Sequence, residues 1–288
     1  MTGSGSAGRW KRGAVALTAA LTAALGVGWL IVAAPQAPSA RRAWAPDHAR
    51  LARADFVNDS LVTVRDVRDF AYTSATSFTP RHRSHTYDLS QLESAWFILT
   101  PFSTSWRGPA HAFVSFGFSD GEFLAISVEA RREAREEYGL LAGMLRRFEL
   151  AYVIGTERDL VGRRALFDGD DVHVYPVNSS RDRTRQMFVE MLRRANAVQD
   201  TPEFYNTLTN NCTSNIVDHV NTLIPGRVPW SLRTIMPGYA DDLALSLGLI
   251  EAGGTIEEVR QRYRINDRAR RAGLGDDFSQ AIRGQQPF

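Results

Sequence analysis

From Gly13 to Ala34 the chain reads GAVALTAALTAALGVGWLIVAA, 22 residues without a charge. As a helix rising about 1.5 Å per residue this run is about 33 Å long, against a bilayer hydrocarbon core of about 30 Å. A cleavable export signal has a shorter apolar stretch, about 7–15 residues, followed by a small-x-small site. Here Pro35 and Pro38 spoil the best cleavage positions. Residues 13–34 are therefore expected to be an uncleaved transmembrane signal anchor, with residues 1–12 cytoplasmic and the long C-terminal body translocated. Arg9, Lys11 and Arg12 precede the run and Arg41 and Arg42 follow it, so the positive-inside asymmetry is small.

The remaining chain, roughly 250 residues, is enough for one large domain or a domain with an appendage. A hydrophobic fraction of 44% and six tryptophans exclude disorder. The net charge of +2 is too balanced to point to nucleic acid, and no nucleic-acid partner is expected. Residues 35–60 are rich in Pro, Ala and Arg and read as a juxtamembrane linker. Residues 61–240 read as the main body and 241–288 as a helical extension. Strands are expected at Leu61–Tyr72, Ala95–Thr100, Leu150–Ile154 and Val172–Val177, with an extended loop over Ser74–Ser90. Between the last two strands Gly155–Phe167 reads as a short helix, and helical spacing marks Ser179–Ala197, with Met187, Phe188, Met191 and Leu192 on one stripe. The expected class is α+β, an antiparallel sheet packed against helices.

The clearest local signal is a hairpin. HAFVSFGF (His111–Phe118) and EFLAISVE (Glu122–Glu129) are β-rich runs joined by Ser119-Asp120-Gly121, a loop length common in hairpins. If Phe118 faces Glu122, Val114 faces Ile126 and His111 faces Glu129. The charged ARREAREE after Glu129 suggests a solvated turn or helix.

Cys212 is the chain's single cysteine, which excludes an internal disulfide and a multi-cysteine metal cluster. It lies in TLTNNCTSNI, where apolar positions at Ile216, Val217, Val220 and Leu223 follow helical spacing. Asn210 or Asn211 is a suitable N-cap, placing Cys212 in the first turn, where free backbone N–H groups favour a thiolate and lower its pKa. A buried thiol that only helps the helix pack is the bland alternative.

A thiol nucleophile needs a base and a group to orient it. His219 is seven residues past Cys212, too far along a helix to touch it. His48, His82 and His85 fall in polar segments and are expected at the surface, and His173 on a solvent-facing strand position. His111 opens a strand after a Gly-Pro break and has Glu129 across from it. It is the best base, with Glu129 the best orienting group and Ser127 a weaker one. Scattered histidines give no metal set, and no cofactor is expected. Glu157, Arg158 and Asp159 with Arg163 and Arg164 read as a salt-bridging face.

The segments AHAFVSFGFSDGEFLAISVEARRE, ELAYVIGTERDLVGRR and EFYNTLTNNCTSNI together resemble the Lnb N-terminal periplasmic domain family, a bacterial envelope family, over about Asp66 to Tyr239. The order of histidine strand and then cysteine helix is more distantly similar to circularly permuted papain-like thiol enzymes of the NlpC/P60 type. The resemblance implies Cys212 as nucleophile, His111 as base and Glu129 as third member, in a permuted papain-like fold. It also implies a single-pass protein of the bacterial inner membrane whose body lies in the periplasm or outside. The expected activity is a hydrolase or acyltransferase acting on an amide or ester of the envelope, with a peptidoglycan peptide or a lipid acyl chain as substrate. The alternative is a non-catalytic module that binds a protein or cell-wall ligand in the same groove.

Overall fold

A computed structural model of the chain describes residues 6–33, 37–39, 41–103, 108–251 and 253–284. Residues 1–5, within the expected cytoplasmic segment, and residues 34–36, at the end of the expected anchor and the start of the linker, lie outside the described set. Met1–Ser39 and Ala40–Phe288 form separate units.

The first unit is helix α1, Ser6–Ala33. Val15, Leu17, Leu21, Leu25, Val27 and Trp29 are all more than half exposed along it. Thr18 and Thr22 donate their hydroxyls to the carbonyls one turn back, at Ala14 and Thr18, so their polar atoms are satisfied inside the helix. Among the described residues no helix is both long and apolar enough to cross a membrane.

The second unit is built on an eight-stranded sheet. Its strands are β1 (Arg53–Phe56), β2 (Leu61–Arg68), β5 (His82–Asp88), β6 (Leu92–Pro101), β7 (Ala110–Phe118), β8 (Phe123–Arg131), β9 (Glu149–Gly155) and β10 (His173–Pro176). A small hairpin, β3 (Ala71–Tyr72) with β4 (Phe78–Thr79), stands apart. The sheet order is β1-β2-β9-β8-β7-β6-β10, with β5 also on β2. All pairings are antiparallel except the single β2–β9 contact. The mixed α+β class and the mostly antiparallel sheet follow the expectation.

The helices are α2 (Leu140–Met144), α3 (Glu157–Arg163), α4 (Arg181–Asp200), α5 (Cys212–Leu223), α6 (Leu232–Ile235), α7 (Ala240–Ser246), α8 (Ile256–Tyr263), α9 (Asn266–Ala272) and α10 (Phe278–Ala281). A π turn, Arg164–Asp168, continues α3. Strand alternation decides which helices meet which face. Ala112, Val114 and Phe116 of β7, with Leu124, Ile126 and Val128 of β8, face α4 and α5 through Phe188, Met191, Leu192 and Ile216. Phe113 and Ala125 point the other way, under Leu160 and Val161 of α3 and Phe278 and Ile282 of the C-terminal segment. Each large side chain buried this way contributes about 1.5–3 kcal/mol, so both faces of the sheet are core.

Three expectations change here. Ser74–Ser90 is not a loop, because β5 pairs along β2 from Leu61↔Asp88 to Arg68↔His82. Only Tyr87 is buried on that strand, and an edge strand with a solvated face carries few apolar residues to mark it. Residues 41–60, expected as linker, carry buried Ala45, His48, Ala52 and Ala54 and supply β1. Asn196 of α4 bonds both the N–H and the carbonyl of Ala54, which fixes this edge. Small alanines in close contact leave no periodic hydrophobic signal. The segment beyond 240 also joins the core, with Val259, Ile265, Phe278 and Ile282 at 0–1% exposure. After Glu129 β8 runs on for two residues, Arg131 pairing with Glu149, before the expected exposed turn at Ala134–Arg135.

Candidate active site

Helix α5 begins at Cys212 because Asn211 caps it. The Asn211 side chain accepts from the Ser214 N–H and the Ser214 hydroxyl accepts from the Asn211 N–H, a reciprocal capping box. Asn211 also donates to the Thr207 carbonyl. Asn210 serves the loop before the cap, donating to Phe204 O and accepting from Asn215. Both asparagines are thus spent on holding the helix start. Cys212 packs in one buried cluster with Ala110 and Ala112 of β7, and the backbone N–H groups of Ala112, Thr213 and Cys212 favour its thiolate form.

The hairpin has the expected register, with Val114↔Ile126 paired and Phe118 N–H donating to Glu122 O. Its paired ladder ends at Phe113↔Ser127, short of His111 and Glu129. Beyond that point the two strands border a cleft of about 300 Å³ lined by His48, His111, Glu129, Arg164, Tyr205 and Cys212 among others. His111 and Glu129 share a face, and Cys212 comes from the opposite side with α5; the open end of the hairpin is where they meet. Among the described residues Cys212 and His111 make no hydrogen bond to each other. The thiol's near neighbour is the Thr213 hydroxyl at 3.9 Å.

Ser127 stands between imidazole and carboxylate. Its hydroxyl donates to Glu129 Oε1 at 2.8 Å, and its oxygen is 2.7 Å from His111 Nε2. A hydroxyl has one proton to give, so His111 Nε2 must be the donor in the second bond, and Nδ1 carries the free lone pair. Glu129 Oε1 is 3.7 Å from His111 Nε2. The same carboxylate takes His48 Nε2 at 3.1 Å and Arg164 at 3.2 Å. His48 is fixed in turn by the Arg132 N–H, which donates to its Nδ1.

Residues 78–238, more than half of the chain, match the family model described as Lnb N-terminal periplasmic domain. The chain belongs to this family. Searches of curated proteins and of solved structures give no match. The Lnb domain is a periplasmic one, so the matched body is extracytoplasmic. It contains His111, Ser127, Glu129, Arg164 and Cys212, and it begins after His48.

The electrostatics of the Lnb site differ from the expected thiolate pair. Burial pushes the Cys212 thiol up, and the N–H groups of Ala112, Thr213 and Cys212 offset only part of that. Burial, with Arg164 nearby, pushes His111 down to about 3, and Glu129 opposes the shift. Glu129 is half-buried, and although desolvation pushes it up, His48, Arg164 and His111 hold it well below the usual carboxylate range. The resting site is a thiol, a neutral imidazole and a carboxylate. The helix start still pulls the thiol pKa down, but here desolvation is the larger effect.

Among the other histidines, His219 sits on α5 away from the thiol, bonded to Glu190 and to the Tyr152 hydroxyl. His173 is buried, not solvent-facing, and stacks on Tyr175. His82 and His85 are half-buried on β5. His48, expected at the surface, is 2% exposed and contacts Glu129. It was missed, with Arg164, because neither lies in a periodic run and nothing local ties either to Glu129. Glu157, Arg158 and Asp159 are an ion-pair face as expected, but largely internal, joined to Arg283, Asp69 and Arg68. Among the described residues no group of three or more His, Cys, Asp or Glu could hold a metal ion.

Proposed function

We propose that this chain is an extracytoplasmic acyl-transfer enzyme, in which Cys212 attacks the carbonyl of an amide or ester of the cell envelope. The observation that carries the reading is the shared cleft, which Cys212 and His111 both line, with His111 oriented by Ser127 and Glu129. The order of strand and helix, resembling permuted papain-like thiol enzymes, supports the same assignment.

In this mechanism His111 Nδ1 takes the thiol proton as sulfur bonds to the carbonyl carbon. Nε2–H donates to Ser127 throughout, and Glu129 balances the imidazolium through that hydroxyl. The N–H groups at the start of α5 are candidates to stabilise the oxyanion. Collapse breaks the bond to the amine or alcohol, which leaves with the proton from His111. Water or a second nucleophile then takes the acyl group from sulfur.

Of the two substrate classes, the surroundings favour a lipid acyl chain. An apolar groove adjoins the cleft, sharing Phe102, Ala110, Tyr138 and Tyr205 with it and continuing over Met144 and Leu208. An acyl carbonyl at Cys212 would leave its chain along these side chains. We also read α1 as an inner-membrane anchor, from the 21 uncharged residues Gly13–Ala33 that it contains and its helical form.

That Cys212 rests as a thiol favours one competing reading, a non-catalytic module that binds its ligand in this groove. Iodoacetamide alkylation of Cys212 across pH separates the two. The enzyme reading expects reaction at about pH 5 to 7, well below the ordinary thiol pKa of about 8.5, and its loss in His111→Ala. Reaction that tracks free thiolate alone, identical in both proteins, leaves the binding module.

A further inference from the structure

We infer that His48, delivered by the segment just ahead of the Lnb domain, is a positioning residue of the active site, holding the Glu129 carboxylate that orients His111. The inference rests on the Cys212–His111 reading above. Its starting point is a mismatch: the family match begins at residue 78, yet the closest contact of Glu129 Oε2 comes from residue 48.

The segment that carries His48 is fastened along the end of β8. Ala45 N–H donates to Arg132 O, and Ala134 N–H to Ala43 O. The Arg131 guanidinium lies 4.1 Å over the Trp44 ring and donates to His48 O. Asp47 pairs with Arg132, and its carbonyl accepts from Arg68. These contacts place the ring where Arg132 N–H fills Nδ1, so Nε2 is the donor and points at Glu129. A histidine merely filling space would not need both nitrogens matched to partners of opposite kind.

The consequence is electrostatic. Glu129 faces His48 from this segment, His111 from β7, Arg164 from the π turn and Ser127 from its own strand. The charges of Arg68 and Arg163 and the Tyr205 phenol also act on it. Ionised Glu129 obliges Ser127 to donate to it, which leaves Ser127 to accept from His111. A protonated Glu129 can donate to Ser127 instead, and the tautomer of His111 is then no longer fixed. Removing the His48 donor weakens the hold on the ionised form.

The test uses the full-length chain and iodoacetamide as probe, comparing the acid limb of Cys212 alkylation in wild type, His48→Ala, His48→Leu and His48→Gln. His111→Ala is the control. A hydrogen bond to a charged group is worth about one to two pH units. The limb in His48→Ala is therefore expected about one unit higher. His48→Leu, which fills the ring's volume without a donor, gives the same shift and carries the test if the alanine variant fails to fold. His48→Gln, which can donate at the Nε2 position, moves the limb back. Limbs that coincide with wild type in both donor-less variants, while His111→Ala loses the low-pH reaction, overturn the role of His48 and leave the Cys212–His111 pair standing. Indifference of the reaction to His111→Ala removes the pair, and the inference with it.

Discussion

The Ser127 hydroxyl oxygen lies 2.7 Å from His111 Nε2, closer to the imidazole than the carboxylate it serves. This makes Glu129 a partner at one remove. The orientation of His111 depends on a neutral group whose single proton is claimed by a charged one. It also leaves Nδ1 as the nitrogen able to accept a proton.

Ser127→Ala is expected to lower the low-pH alkylation rate of Cys212 by about 10–100-fold, the worth of a hydrogen bond in a charge-assisted chain. The measurement is the second-order rate constant at about pH 6. A fall of less than twofold would show that Glu129 orients His111 without the serine.

The groove makes a chain-length prediction. For p-nitrophenyl esters, kcat/KM is expected to rise from acetyl to long acyl groups, since each buried methylene is worth about 0.8 kcal/mol. Met144→Asp and Leu208→Asp should lower the long-chain value by about tenfold and leave the acetyl ester nearly untouched. Equal losses for both esters would point to damage at Cys212 and not to an acyl groove.

The buried histidines set the response to acid. His111 is pushed down to about 3, His173 and His219 to about 4, in each case mainly by burial, from an ordinary 6.5. Between the folded and ordinary values the unfolded chain binds more protons, so stability falls as pH drops below about 6.5 and is fully present above it. The depressed Glu129 works in the same direction, its contribution present above 4.5 and lost on further acidification. The unfolding temperature should fall steadily from about pH 7 to about pH 4. His173→Phe, which removes a ring whose Nδ1 has no partner, should flatten that slope. An unchanged slope would mean that His173 does not titrate on unfolding.

Arg68 and Asp159 form a bidentate ion pair at 3.0 and 2.8 Å, with side chains 4% and 0% exposed. Asp159 also accepts the Phe70 N–H, joining β2 to α3 and so to the π turn that carries Arg164. Asp159→Ala leaves a guanidinium buried without its partner, at a cost of about 3–5 kcal/mol. Urea denaturation would read this directly. A loss below about 1 kcal/mol, the range of an exposed pair, would mean that water reaches Arg68.

What the sequence determined by itself was local. The cap at Asn211, the start of α5 at Cys212, the register of the β7–β8 hairpin and the buried stripe of α4 all follow from residues a few positions apart, where periodicity and turn chemistry act. The same local order placed His111 and Glu129 on one face and carried the family likeness. The tertiary structure decided whatever depends on distant segments closing on each other. Ser127 became the direct partner of His111 because the paired ladder stops at that residue, and His48 reached Glu129 across 81 positions. The protonation state was decided there too. A helix start favours a thiolate on paper, but the sheet, α5 and Tyr205 exclude water from the sulfur, and desolvation is a property of the packed whole.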